Sequence, residues 1–185
     1  MLTIPMRYPA PTPYPAQSLP RAAVAALLLA AALPAHADDR FTQFGDALQI
    51  SLPFVALTCA AKQGRAGETA LGFAVQAAAV NGSKAMLRDA RINQRPDGTG
   101  RGFPSGHSAS AMFGAANLAE FCYQGRPGLQ FASYSLALAV GLSRIDADRH
   151  TPLQVAAGLA LGYFANGLRF RLTKNGMSLS HMWRF

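Results

Sequence analysis

The sequence predicts an all-α protein, a helical bundle of about five core helices, with a C-terminal tail that reads either as a short β-hairpin or as a frayed basic end. Three observations carry that expectation. Five apolar segments, at about 46–61, 69–87, 106–122, 128–142 and 152–168, each run for 15 residues or more. Such lengths exceed an ordinary strand. Alanine and leucine are abundant in them, although the fourth run taken alone is ambiguous between helix and strand. The tail differs. In RFRLTKNGMSLSHMWRF, Asn175-Gly176 sits between partly alternating runs, with Phe170 and Leu172 before it and Met177, Leu179 and Trp183 after it. That pattern is a hairpin signal, and a frayed basic tail is the equal alternative.

Ahead of the first segment, residues 21 to 37 (RAAVAALLLAAALPAHA) open on an arginine and close on Ala35-His36-Ala37, before Asp38-Asp39. This reads as a secretory leader, so residues 1–37 are set apart from the fold and residues 38–185 form one domain. A retained anchor is the alternative, but an apolar run of about 13 residues is short for a bilayer. Without Arg7 and Arg21 the chain keeps 15 basic against 9 acidic residues, a net charge of +6. The excess calls for an anionic partner. Nucleic acid suits an exported chain poorly, whereas a phosphate ester or an anionic membrane surface fits.

The helical segments predict a membrane-embedded bundle with a self-consistent orientation. Lys62 and Arg65, then Arg126, then Arg169, Arg171 and Lys174 would face the cytoplasm, as the positive-inside rule prefers. The arginine-rich stretch from 88 to 101 would lie outside, giving an inner-membrane protein with a periplasmic site. The competing expectation is a soluble periplasmic bundle, since most segments fall short of a span and the third carries Asn117 and Glu120. Cys59 and Cys122 both lie in apolar stretches, where buried free thiols and a disulfide are both compatible with the sequence. No zinc-type spacing of Cys and His occurs, and neither a metal nor another cofactor is expected.

The chemistry concentrates between residues 88 and 154. Arg88 and Arg95-Pro96 come first, then Pro104-Ser105-Gly106-His107, then Ser143-Arg144 followed after five residues by His150 and after three more by Gln154. Ser105 is a good N-cap, and the free N–H groups of Gly106 and His107 would point at an anion. Arg88, Arg95 and Arg144 would add three guanidinium forks whose charge cannot be lost. His107 and His150 supply imidazoles able to move protons or attack phosphorus near neutral pH.

In order and spacing these stretches resemble the three motifs of the type 2 phosphatidic acid phosphatase and vanadium haloperoxidase superfamily: Lys-x6-Arg-Pro, Pro-Ser-Gly-His and Ser-Arg-x5-His-x3-Asp. The resemblance implies that Arg88, Arg95, Ser105, Gly106 and Arg144 bind the substrate phosphate. It also makes His150 the nucleophile of a phosphohistidine mechanism and His107 the acid that protonates the leaving oxygen. The implied substrate is a lipid phosphate, a lipid pyrophosphate or a small phosphate ester.

Two positions depart from the motifs: Arg88 stands for lysine and Gln154 for the aspartate that orients the nucleophile. Glutamine is neutral and one methylene longer, so restoring Asp at 154 is expected to raise turnover. Thr151-Pro152-Leu153-Gln154 also reads as a capping box, in which Gln154 need not touch His150. Asp146 and Asp148 are nearby carboxylates that could serve the histidine instead, or stand solvated beside Arg149. A chain that kept its cations but lost turnover through Gln154 would be a noncatalytic phosphate or lipid-headgroup binder. The haloperoxidase branch is disfavoured by the short chain and the apolar helices.

Overall fold

The structure is a computed structural model that describes residues 37–173 and 176–181, with side chains from 40 to 167. The expected leader lies outside the described residues except for Ala37, where helix α1 begins. The helices are α1 (Ala37–Lys62), α2 (Ala66–Leu87), α3 (Gly106–Asn117), α4 (Pro127–Asp146) and α5 (Pro152–Asn166). A 3-10 turn spans Arg91–Asn93, and a π-helical turn, Leu118–Cys122, prolongs α3. The five expected helices are thus present, with α1 starting nine residues before the apolar run that announces it. Strands β1 (Leu168–Thr173) and β2 (Gly176–His181) pair antiparallel. The register pairs Thr173 with Gly176, so Gly176 opens the second strand instead of sitting in the connection.

Helix α3 is the hub, packed on α5, α1 and α4. Its side chains are mostly small: Ala109, Ala111, Ala115 and Ala116 are fully buried, and Met112 and Phe113 are the bulky exceptions. Small residues let backbones approach closely, and glycines on α5 and on α3 itself finish the fit. A Cβ on Gly158 would strike the Ser105 carbonyl, one on Gly162 the Ala109 carbonyl, and one on Gly114 the α1 backbone at Leu52-Pro53. Phe113 fills the remaining space against Phe73 of α2 in an edge-to-face contact, centroids 5.6 Å apart.

The polar residues of the third segment hold elements together. Thr69 Oγ1 of α2 donates to Asn117 Oδ1 at 3.5 Å, and Asn166 Nδ2 of α5 donates to Glu120 in the π-helical turn at 2.8 Å. A disulfide joins Cys59 of α1 to Cys122 of the same turn, with Cα atoms 6.3 Å apart. Among the described helices one segment, Arg40–Lys62, is long and apolar enough to cross a bilayer. Helix α3 has 12 residues. At 1.5 Å per residue that covers roughly 18 Å.

The close helix crossing sets an expectation for stability. Gly158→Ala should cost about 1–3 kcal/mol, because its methyl meets backbone that cannot rotate away. Gly82→Ala, inside α2 with open space around it, should gain about 0.5–1 kcal/mol. Thermal or denaturant unfolding of both variants checks the pair; equal effects would contradict the packing described.

Candidate active site

Alternating helix directions bring the start of α1, the end of α2, the start of α3, the end of α4 and the start of α5 to one end of the bundle. The loop from 88 to 104 closes over that end, and a buried asparagine holds it there. Asn93 Nδ2 donates to Arg88 O at 2.7 Å and Lys84 O at 3.2 Å, capping α2, while its Oδ1 accepts from Phe103 N at 3.0 Å. Arg95 follows in a tight turn closed by its own N–H on Thr99 O at 2.7 Å. Asp97 accepts from both the Thr99 amide and hydroxyl there. Arg95 Nε is buried and makes no hydrogen bond within the described protein, which leaves a donor for an anionic ligand.

Helix α3 opens as expected. Ser105 Oγ accepts from Ser108 N at 3.4 Å and from Ser108 Oγ at 2.9 Å, so the hydroxyl's own hydrogen is the one left to give. Above the first turn stands Lys84. A Cβ on Gly106 would lie 3.9 Å from Lys84 Nζ. Burial, Arg95 and Arg101 lower the lysine's pKa, a mark of crowding among cations. Arg88 is placed differently. It is exposed at the end of α2 with φ +40°, and the cations that bear on the two histidines are Lys84, Arg95 and Arg144. Lys84 lies one helical turn before Arg88, and α2 ends before the arginine could face the same way.

His150 is 4% exposed. Its backbone N–H donates to Arg144 O at 3.1 Å, tying the loop to the last turn of α4. Its Nδ1 lies 3.1 Å from Gln154 Oε1. The same oxygen accepts from Thr151 N at 3.1 Å, completing the capping box, so Gln154 fills both expected roles at once. Its Nε2 donates to Ile92 O at 2.9 Å and Gln94 O at 2.8 Å. Two carbonyls can only accept, so the amide cannot be flipped. Oε1 therefore faces the ring, Nδ1 carries the proton, and Nε2 keeps a lone pair. Gly102 makes room for this amide; a Cβ there would fall 2.5 Å from Gln154 Nε2. Asp146 and Asp148 are exposed and do not occupy Nδ1.

Burial pulls the His150 pKa down to about 4, with Arg95, Lys84 and His107 lowering it further and the Gln154 hydrogen bond opposing. The ring is thus neutral at physiological pH, as a nucleophile must be. His107 is also lowered, by burial and Arg144, with Asp46 opposing. Asp46 is the residue that sequence reasoning missed. Its Oδ1 lies 3.0 Å from His107 Nε2 and 2.7 Å from Arg144 Nη1. Arg144 also donates through Nη2 to Thr42 O at 2.6 Å and through Nε to Ser143 Oγ at 3.1 Å. Its one sequence signal is a carboxylate at the edge of an apolar run, preceded by Gly45, where any side chain would collide with Ser143.

The family model of the PAP2 superfamily matches residues 23–177. The chain belongs to the PAP2 superfamily. It is also 39% identical over 111 residues to a lipid A 1-phosphatase of Porphyromonas gingivalis, a match that covers 55% of this chain and 24% of that protein. The chain therefore spans about a quarter of that relative's length. No solved structure matches it.

Two measurements test the geometry without turnover. In ¹⁵N-histidine NMR, with His150→Asn for assignment, His150 should show a protonated Nδ1 and a bare Nε2 at neutral pH and should charge only as pH falls toward about 4. Titration near the ordinary value of about 6.5 would contradict the burial and the tautomer. Because the folded value is depressed, the neutral ring's contribution to stability is present above about 6.5 and is lost as pH falls through that window. Gln154→Glu, nearly isosteric, sets a carboxylate oxygen against two carbonyls and should cost about 2–4 kcal/mol in unfolding experiments.

Proposed function

We propose that the chain is a phosphatase that hydrolyses a phosphorylated lipid, a lipid phosphate or lipid pyrophosphate, through a phosphohistidine on His150. The observation that carries this reading is the fixed Gln154 amide, which leaves His150 Nε2 with its lone pair free. Lys84, Arg95 and Arg144, the Ser105 hydroxyl and the N–H groups of Gly106 and His107 surround the phosphate oxygens, with Lys84 taking the part that the motif spacing assigns to Arg88. Positive charge fixed before reaction stabilises the charge spread over a transferring phosphoryl group. His150 Nε2 attacks phosphorus while His107 protonates the departing oxygen. Water then attacks the phosphohistidine, His107 takes the water's proton, and phosphate leaves. Cationic side chains supply the charge that Mg²⁺ supplies in many such sites, so the reaction needs no divalent metal.

A lipid substrate is supported by the named activity of the relative and by the bundle's surface. Ile50 and Phe54 on α1, and Phe131, Leu138 and Leu142 on α4, are exposed. Such a surface suits acyl chains or a bilayer. The protein is read as an inner-membrane protein whose active site faces the periplasm. The disulfide favours a second reading. Cys59 and Cys122 lie at the end of the bundle away from the histidines, and a disulfide there fits a domain lying wholly in an oxidising compartment, against the membrane instead of across it. An impermeant thiol reagent on spheroplasts separates the two, using Thr99→Cys and Gln124→Cys in a chain lacking the native cysteines: labelling of the first alone supports spanning, labelling of both the peripheral domain.

Wild-type protein should release phosphate from lipid phosphates in excess chelator and be inhibited by vanadate, and His150→Ala should abolish release while the protein still binds phosphate. Gln154→Asp should lower turnover by about 10-fold or more, equivalent to about 1.4 kcal/mol on the barrier, because the shorter carboxylate gives up both carbonyls and the ring. Phosphate release across these variants is the measurement. An inactive wild type restored by Gln154→Asp would instead describe a noncatalytic binder.

A further inference from the structure

A single carboxylate oxygen, Asp46 Oδ1, stands between the two cationic donors that would meet the leaving group and the phosphate, 3.0 Å from His107 Nε2 and 2.7 Å from Arg144 Nη1. Asp46 belongs to α1, 61 residues from His107 and 98 from Arg144, outside all three motifs. The contact is built in. Gly45 lets α1 approach Ser143, and the Thr42 carbonyl takes the second Arg144 nitrogen, so the start of α1 is docked on the end of α4 by the same guanidinium that Asp46 pairs with. The Arg144 side chain is 4% exposed, whereas Asp46 is 49% exposed, on the open side of the pair.

We propose that Asp46 is the positioning residue of the acid: it holds the His107 Nε2–H, so that Nδ1 is the nitrogen that gives its proton to the leaving oxygen and later takes one from water. The proposal rests on reading His107 as the acid. A carboxylate can only accept, so Nε2 must carry a hydrogen whenever the contact is made. With both ring nitrogens protonated, Nδ1–H passes to the leaving oxygen as the P–O bond breaks and the bond from His150 Nε2 to phosphorus forms. His107 is then neutral, still donating Nε2–H to Asp46. Its Nδ1 lone pair accepts a proton from the water that forms the new O–P bond, and the P–N bond breaks with its electrons returning to His150. Three positive or neutral groups face His107, Lys84 from α2, Arg144 from α4 and His150 from the loop before α5. Asp46 from α1 is the one anion among the groups that bear on it. It also keeps Arg144 from drawing the imidazole's charge away.

Asp46→Asn tests this, since it keeps the shape and removes the charge. On an alkyl phosphate, whose leaving oxygen needs a proton, kcat should fall by about 10- to 100-fold, less than the roughly 10²- to 10⁴-fold a general acid contributes, because His107 itself remains. On an aryl phosphate with a good leaving group the fall should be about 3-fold or less. The alkaline limb of the pH profile should move to lower pH, because loss of a neighbouring negative charge disfavours the imidazolium. Asp46→Glu should recover part of the alkyl phosphate rate. Equal losses on both substrates with an unmoved pH profile would overturn the proposal, and so would a gain in activity, which would mean that Asp46 competes with phosphate for Arg144. ¹⁵N-histidine NMR gives the same answer without turnover: His107 should titrate at lower pH in Asp46→Asn than in the wild type, and identical titrations overturn the positioning role even where phosphate release stands. A wild type that releases no phosphate fails the enzyme reading itself and takes the catalytic role of Asp46 with it.

Discussion

Four hydrogen bonds converge on the side-chain amide of Gln154, and the geometry of the site depends on all of them. Two donors on its nitrogen are spent on the carbonyls of Ile92 and Gln94, in the loop that carries Arg95. Its oxygen accepts from the Thr151 amide, which fixes the start of α5, and from His150. One fully buried group therefore joins the loop, the helix and the imidazole. A carboxylate could accept the histidine's proton, but it has no hydrogen to offer the two carbonyls. An amide can do both. The cost is electrostatic, since a neutral partner would offset less of the charge that the proposed attack builds on His150. The site departs from the aspartate pattern by exchanging that charge for a rigid connection between the loop and the His150 imidazole.

The packing of α3 serves the same end. Gly158 of α5 meets α3 at the turn that presents Ser105, Gly106 and His107, and further along the helix Gly162 of α5 meets Ala109 and the α1 backbone at Leu52-Pro53 meets Gly114. Ser105 N also donates to Gln154 O at 2.9 Å, so the start of α3 is fixed to the start of α5 directly. An anion held at a helix N-terminus needs N–H groups that do not move as charge develops. Close backbone contact supplies that rigidity where a looser core of long side chains would not.

Much of this was legible in the sequence. Apolar runs of helical length located all five helices, and the Thr-Pro-Leu-Gln signature located the start of α5, because each is a local property of the chain. The order and spacing of the motifs singled out two histidines that the fold brings to the same end of the bundle. What escaped depended on contacts distant in sequence. Asp46 reads as one more polar residue near the start of a helix until α1 is laid against α4. Arg88 sits at the motif spacing, yet α2 ends at Leu87 and Asn93 turns the chain aside, so Lys84 one turn earlier faces the site. The pairing of Cys59 with Cys122 needed the 6.3 Å separation of their Cα atoms, which no spacing rule supplies. The expectation that aspartate at 154 would raise turnover failed to anticipate the two carbonyls waiting for the amide.

The central claim is that His150 Nε2 is a free, neutral nucleophile. Rapid acid-free quenching of the protein during turnover of a ³²P-labelled lipid phosphate, followed by peptide mapping, tests it most directly. Label should appear on the peptide carrying His150, should resist alkali and should be lost in acid, as a phosphorus–nitrogen bond requires, and should be missing from His150→Ala. Phosphate release in the wild type with no label on His150, or with label on another side chain, would contradict the account.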